Sequence, residues 1–284
     1  MKDSKINMTI IDKIKRAIPQ LFFISYSITV LLFMAILIIT PFRSMRDVAR
    51  GILTIPNSFT FINFINIWKG GFGLGFKNSM IFSISTCIIT LIVGGLAGYA
   101  FSFLKFKLNR ALYTFVFSCM FISIMLISIP LFMQYKNLGL INSFLGVLII
   151  YASIRLPFTV FIFKNFFDEF PRPIIEAAKI DGINDIGILT RIIIPLSKPV
   201  AITVILFNFI AIWTDFLIGL LFLQKNENVI VMLRVISIFQ GGISRTAPLS
   251  TGYAGLFLVT MPAIILYILG KKYYIEGLTL GSIK

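Results

Sequence analysis

Histidine is missing from this 284-residue chain altogether, and acidic side chains number only 11 against 26 lysines and arginines. Without imidazole there is no general acid or base of that kind near neutral pH, no histidine-containing triad and none of the usual zinc ligand sets. Cysteine is scarce too. Cys87 and Cys119 each lie inside an apolar run with no CxxC spacing, and they read as small hydrophobes rather than redox or metal groups. No paired carboxylates fall within the apolar runs, so an enzyme, a metal site and a bound cofactor are all unexpected. Charge as a whole is low, at 13% of residues, about half of what a soluble domain carries.

What is present is apolar. The chain is 58% hydrophobic with 30 phenylalanines, and its mean hydropathy is +0.96. These values describe a polytopic membrane protein. The net charge of +15 would suggest nucleic acid in a soluble chain, but here the lysines and arginines sit between apolar runs. Topology and anionic lipid head groups account for them, and no nucleic-acid partner is expected.

Six runs are long enough to cross a bilayer as helices, which takes about 20 residues each. They cover Leu21 to Ile39, Ser79 to Leu104, Ala111 to Met133, Ile141 to Phe163, Val200 to Leu223 and Pro248 to Leu269. The first stops at Pro41, follows a basic tail and precedes no A-x-A site, so it reads as a retained anchor. Six crossings put both termini on one side. That side collects sixteen lysines and arginines, the other nine, and Arg155 falls within a span. The positive-inside rule then makes both termini cytoplasmic. The expected organisation is a tail over 1–20, a six-span domain over 21–270 and a second tail over 271–284. The longest outer segments would be Pro41 to Asn78 and Gln224 to Ala247. Within the first, "KGGFGLGFKNS" (Lys69 to Ser79) fits neither GxxxxGK[ST] nor GxGxxG and reads as a flexible re-entry into the second span.

The cytoplasmic segment 164–198 holds five of the eleven carboxylates. In "FPRPIIEAAKIDG", Pro171 and Pro173 suit a first helical turn, Glu176 lies near that N-terminus, Ala177 and Ala178 are strong helix formers, and Gly182 suits a left-handed C-cap. The pattern predicts a helix of about nine residues, too short to be stable alone in water. A second helix is expected from Asn184, its N-cap, to Pro195. A knob of two capped helices is more than a connector needs and suits docking.

This segment resembles the EAA signature of ABC-importer permeases: Glu176-Ala177-Ala178, three residues, Gly182, nine residues, then Ile192-Ile193-Ile194-Pro195, with Ile194 where the family has Leu. "YAFSFLKFKLNRAL", "LPFTVFIFKNFFDEFPRPIIEAA", "WTDFLIGLLF" and the terminal "KKYYIEGLTLGSIK" are similar to the carbohydrate branch, in particular its maltose-type second subunit. The likeness runs from about Leu74 to Lys284, and "TAPLSTGYAG" departs from the usual tryptophan-containing approach to the sixth span. The resemblance implies an all-α fold of six transmembrane helices with a cytoplasmic coupling helix, the type I ABC-importer permease fold. It implies that this chain lies in the inner or plasma membrane of a prokaryote, hydrolyses no ATP itself and translocates a sugar or oligosaccharide. The partners it implies are a homologous permease (or a second copy of this chain), two ABC ATPase subunits, an extracytoplasmic solute-binding protein and membrane lipid. A polyol or glycerol-phosphate substrate would use the same machinery. Docking to the ATPase falls to Glu176 for polar contacts, Ala177 and Ala178 for close approach, Gly182 for the turn, and Asp181 as a further contact or cap.

Two charges fall inside spans. Arg155 is expected to snorkel towards the interface. Asp215, near Trp213 and Asn208, is expected either to line the translocation pathway or to hydrogen-bond a partner subunit. An ion-coupled carrier would need more buried carboxylates or histidines than Asp215 alone. Gly94-Gly95-x-x-Gly98 is expected to let the second span pack closely against another helix.

Overall fold

A backbone in hydrocarbon must satisfy its own N–H and C=O groups, and helix is how this chain does so. The computed structural model describes residues 10–51, 58–223, 225, 229–239 and 249–279. The start of the N-terminal tail, the end of the C-terminal tail and half of the outer segment Gln224 to Ala247 fall outside those residues. The described residues divide into two compact units, one within Met1–Gly70 and Gly241–Phe257, the other within Gly71–Gln240 and Leu258–Lys284.

The first unit holds α1 (Ile10–Ile39), α2 (Met45–Ala49) and α3 (Ile62–Ile67). Ser44 caps α2 by accepting the Asp47 N–H at 3.2 Å. Arg43 is 1% exposed and donates to the carbonyls of Asp47 at 3.0 Å and Gly51 at 2.8 Å. Asn63 donates to the carbonyls of Pro41 and Arg43 at 2.8 and 2.9 Å, while its own oxygen accepts Ser250 Oγ at 3.0 Å. A loop that would otherwise lack regular hydrogen bonding is thus knotted around two buried polar side chains.

The second unit contains α4 (Gly73–Phe103), α5 (Asn109–Ser118), α6 (Ile124–Asn137), α7 (Phe144–Asp168), α8 (Arg172–Ile180), α9 (Asp185–Ile188), a wide π-type turn (Leu189–Ile193), α10 (Ile194–Leu196), α11 (Lys198–Trp213), α12 (Leu217–Phe222) and α13 (Val231–Phe239). The last helix, α14 (Leu249–Thr279), contributes residues to both units. Four stretches are long and apolar enough to cross a membrane: Pro19–Phe42, Ile62–Phe103, Phe144–Asp168 and Leu249–Lys271. Two bent pairs, Asn109–Phe121 with Ile124–Asn137 (98°) and Asp185–Leu196 with Lys198–Trp213 (70°), bring the total to six if each is one crossing.

The core of the second unit is the packing of α4 against α7 and α11. Ser79, Ser83, Thr86, Thr90, Gly94 and Gly98 recur every three or four residues along one face of α4, and all are buried. Small side chains let backbones approach closely where lipid gives helices no hydrophobic reason to associate. A Cβ at Gly98 would lie 2.7 Å from Phe163 Cβ and 3.1 Å from the Lys164 backbone nitrogen, and one at Gly94 would lie 2.5 Å from Thr159 Cγ2. The expected close-packing glycines therefore find their partner, α7, within this chain. Gly95 is not one of them, since its Cβ would sit an ordinary 3.8 Å from Phe163.

Three expectations are modified. The third span is not one helix, because extended residues Ile122 (ψ 109°) and Ser123 (ψ 130°) separate α5 from α6. The fifth is interrupted at Thr214–Phe216, where α11 gives way to α12. The "KGGFGLGFKNS" stretch is no flexible re-entry: α4 begins at Gly73, Asn78 donates to Val229 O at 3.0 Å, and Ser79 Oγ accepts the Val231 N–H at 2.9 Å.

Gly98→Ala should lower the melting temperature of the detergent-purified chain, the overpacked contact costing about 1–3 kcal/mol. Gly95→Ala should leave it unchanged or slightly raise it, so equal effects of the two substitutions would refute this account of the α4–α7 contact.

Candidate functional site

The helix foreseen around Glu176 is α8, with the expected length of nine residues. Pro171 precedes it in an extended conformation (φ −60°, ψ 109°), and Pro173 sits in its first turn, where no N–H is needed. At the other end Asp181 is the C-cap residue and Gly182 takes φ +80°. The Gly182 N–H donates to Lys179 O at 3.1 Å and the Ile183 N–H to Ala178 O at 3.0 Å, the paired bonds of a Schellman motif. A Cβ at position 182 would meet nothing within 4 Å, so backbone conformation alone asks for glycine. Asn184 then caps α9, its Oδ1 accepting the Gly187 N–H at 2.8 Å. The helical path continues past Pro195 to Leu196, because Pro195 falls in the first turn of α10, where its missing N–H costs little.

This segment faces two ways. Ile175 and Ala178, one turn apart, are buried with Ile188 and Ile193 among Tyr99, Phe163, Phe167 and Phe170. Arg172 donates to Ser102 O at 3.0 Å, and its guanidinium carbon lies 4.8 Å from the Phe103 ring centre. Ser102 Oγ donates to Asp168 Oδ1 at 2.7 Å, and Asp168 is paired with Lys164. These contacts join α8 to the ends of α4 and α7. On the other face Glu176, Ala177, Asp181 and Gly182 are exposed, together with Ile174, Ile186 at 72% and Ile180 at 86%.

Two of the expected roles change. Ala178 is 5% exposed and fills the chain's own core, so of the two alanines only Ala177 is open to a partner. Glu176 lies beyond the first turn of α8, so the helix dipole does not account for it. Ile174, Ile180 and Ile186 were missed. Their signal was present in the sequence as three isoleucines off the buried Ile175–Ala178 stripe.

The intramembrane polar residues converge on Asn208 of α11, which is 0% exposed. Its Nδ2 donates to Thr90 Oγ1 of α4 at 3.1 Å and to Thr159 Oγ1 of α7 at 2.9 Å. Its Oδ1 accepts Arg155 Nε of α7 at 3.0 Å. Each threonine hydroxyl donates back along its own helix, Thr90 to Thr86 O at 2.8 Å and Thr159 to Arg155 O at 2.9 Å. Arg155 is therefore turned to the Asn208 amide rather than snorkelling free. Trp213 is 1% exposed, donates Nε1–H to Val259 O at 2.8 Å, stacks on Phe209 at 5.6 Å and meets Phe76 edge-on at 5.1 Å. Asp215 stands in the break before α12. Its Oδ2 accepts Tyr151 Oη at 2.9 Å and the Ile218 and Gly219 N–H groups at 3.1 and 3.2 Å. Asn208 and Trp213, expected beside a pathway, are thus committed to packing, and of the three only Asp215 keeps partial exposure.

A cleft of about 550 Å³ runs between α4, α11 and α14, lined by residues such as Phe76, Ile84, Cys87, Phe209 and Pro262. Its one polar group among these is the Cys87 thiol, which faces Ile205 O at 3.7 Å. A sugar requires hydroxyl partners that this lining does not offer.

The family described as binding-protein-dependent transport system inner membrane component matches residues 90–274. A probable ABC transporter permease protein of Pyrococcus horikoshii is 32% identical over 232 residues, covering 82% of each chain. The melibiose/raffinose/stachyose import permease protein MelC of Bacillus subtilis is 28% identical over 88% of this chain and 90% of its own length. Among solved structures, a bacterial ABC transporter involved in the import of the acidic polysaccharide alginate superposes with a TM-score of 0.78 at 21% identity, covering 94% of this chain and 99% of that one.

Asn208→Leu should leave the Arg155 Nε–H without its acceptor, at about 1–3 kcal/mol for an unpaired buried donor, and remove the donor that joins Thr90 to Thr159. The expected result is a large loss of folded chain in fluorescence size-exclusion chromatography. A normal elution profile and melting temperature would show that the amide is not the link between the three helices.

Proposed function

Because the chain belongs to the binding-protein-dependent transport system inner membrane component family, we propose that it is the sugar-conducting permease subunit of an ABC importer, driven through α8 by a separate ATPase. The observation that carries the coupling role is the two-faced α8. A short helix that exposes Ile180 at 86% beside Glu176, Ala177 and Asp181 presents an apolar surface with a polar rim, the make-up of a protein contact rather than of a connector. Its other face is fastened to α4 and α7 through Ile175, Ala178 and Arg172. A displacement imposed on the exposed face is therefore passed to the helices that carry the Asn208 cluster, instead of being absorbed by a flexible loop.

The substrate is a sugar or oligosaccharide, a reading supported by relatives such as MelC, whose name gives melibiose, raffinose and stachyose. The assembly contains this chain, a homologous permease, two ATPase subunits and an extracytoplasmic binding protein, with both termini of this chain cytoplasmic. Asp215 is our candidate for contact with the substrate pathway, a reading supported by its partial exposure beside Tyr151. Its tie to a tyrosine and to the α12 cap suits a fixed polar group rather than an ion relay.

Affinity purification through a C-terminal tag tests the docking face. Glu176→Lys and Ile180→Asp should keep normal amounts of chain in the membrane while reducing the co-purifying ATPase by about tenfold or more, equivalent to ~1.4 kcal/mol of docking free energy. Ala178→Leu should instead reduce the amount of folded chain itself. An ATPase retained by Ile180→Asp, or absent from wild type, would sink the docking role.

A further inference from the structure

Two charged residues fall inside the apolar runs, and both border one seam, between α7 and α11. Tyr151, Arg155 and Phe158 are spaced by four and three residues, so they share one face of α7. Each meets α11 or the break that follows it. Tyr151 Oη donates to Asp215 Oδ2 at 2.9 Å, Arg155 Nε donates to Asn208 Oδ1 at 3.0 Å, and the Phe158 and Phe207 rings lie 5.6 Å apart, centre to centre. In the two polar pairs the neutral member, Tyr151 or Asn208, is buried, while the charged member stays half-buried. Phe207 is 38% exposed. The inner residues thus hold a guanidinium and a carboxylate, with two aromatic rings beside them, along the open edge of the seam.

Charge and depth, rather than exposure, decide what can lie against this edge. Arg155 stands near the middle of the 25-residue α7, ~16 Å of rise from Phe144 and ~20 Å from Asp168. In a hydrocarbon core of ~30 Å the guanidinium is then close to mid-membrane, too deep to snorkel to either head-group layer. Among the described residues it has one hydrogen bond, to Asn208, and no carboxylate partner, its central carbon lying 5.3 Å from the Phe158 ring centre. Acyl chains offer a guanidinium and a carboxylate nothing, and charges at this depth face a bundle interior or an aqueous cavity. A subunit packed permanently over the seam would strip water from both ions, and an apolar helix surface does not repay that cost. Water and a polar ligand satisfy both. The exposed face of α4, by contrast, is isoleucine, valine and leucine from Ile81 to Leu96.

On the reading of this chain as a sugar permease, on which the assignment rests, we infer that the α7–α11 seam faces the translocation pathway and is where this subunit touches the saccharide. Arg155 donates from its terminal nitrogens to sugar oxygens, and Asp215 accepts from sugar hydroxyls. Phe158 and Phe207 pack on the apolar C–H faces of the rings. Asn208 and Tyr151 fix the two charges in place before a ligand arrives. The pairing of opposite charges selects an uncharged, hydroxyl-rich ligand, because an anion drawn to Arg155 is repelled by Asp215.

Phe207→Cys and Val93→Cys, the latter at a position 47% exposed on the apolar face of α4, would each be made in a chain carrying Cys87→Ala and Cys119→Ala. The full importer, purified with its own subunits and reconstituted in phosphatidylcholine vesicles, would be treated with a charged, water-soluble methanethiosulfonate. Phe207→Cys should react about tenfold or more faster than Val93→Cys, because the reagent does not enter hydrocarbon. Equal rates, whether slow because lipid or a subunit covers the seam or fast because water is not confined to it, would overturn the inference. Uptake of radiolabelled raffinose, with the binding protein present, is the second readout. Arg155→Gln also removes a core hydrogen bond, so Phe207→Ala, which leaves the polar cluster intact, is measured beside it. Each should raise the KM for uptake about tenfold while the co-purifying ATPase stays at the wild-type level. An unchanged KM in both would refute the saccharide contact. A wild type that takes up no raffinose would overturn the sugar reading and the contact with it, while fast labelling of Phe207→Cys would still place the seam on the pathway.

Discussion

In hydrocarbon no water takes up a hydrogen bond that helix packing leaves unmade, and the Asn208 carboxamide is where this chain meets that constraint. Both amide hydrogens and the oxygen are committed, to Thr90 on one neighbouring helix and to Thr159 and Arg155 on another. The threonines can accept because their own hydrogens are turned back onto helix carbonyls. The amide can reach them only because Gly94 and Gly98 bring the helices of Thr90 and Thr159 close together. Small residues and polar residues therefore act as one device. The glycines close the gap, and in the closed arrangement the amide meets Thr90, Thr159 and Arg155 at once.

The same three helices carry the rest of the second unit. Towards one end, Tyr99, Phe163 and Phe167 extend the contact and receive Ile175 and Ala178 from the short EAA helix. Arg172 and the Ser102–Asp168–Lys164 set hold that helix by its first turn, and the Gly182 Schellman motif ends it sharply. The outcome is a small helix with a fixed orientation and an exposed outer face, as the proposed docking role asks. Towards the other end the fifth apolar run breaks, and Asp215 turns a potential liability into a cap, its carboxylate serving two backbone N–H groups and Tyr151. A carboxylate in this position stabilises the break because the first turn of the following helix has no other acceptors for its N–H groups.

Family membership adds what geometry alone does not, since a fold hosts many cargoes. The match over residues 90–274 covers the region containing the Asn208 cluster, the EAA helix and the Asp215 break. The first unit up to Gly70 lies outside it, and there the chain instead builds a knot around Arg43 and Asn63 beneath exposed aromatic side chains.

Composition and spacing determined much of this protein unaided. Long apolar runs in a charge-poor chain leave helical crossings as the available architecture, and the EAA-to-glycine spacing was enough to mark a nine-residue helix with its cap and the family to which it belongs. These are local properties: hydropathy over about twenty residues, a proline that starts a turn, a glycine that alone tolerates φ +80°. The sequence could not say which way a polar residue faces inside a bundle, because an asparagine, a tryptophan and an arginine have the same hydropathy whether they line a cavity or bind a neighbouring helix. Only the tertiary structure turned Asn208 and Trp213 into packing residues, drew Arg155 inward, and divided Ala177 from Ala178. Adjacent helical residues point about 100° apart, so which of two equal alanines reaches a partner depends on what the other side of the helix is packed against.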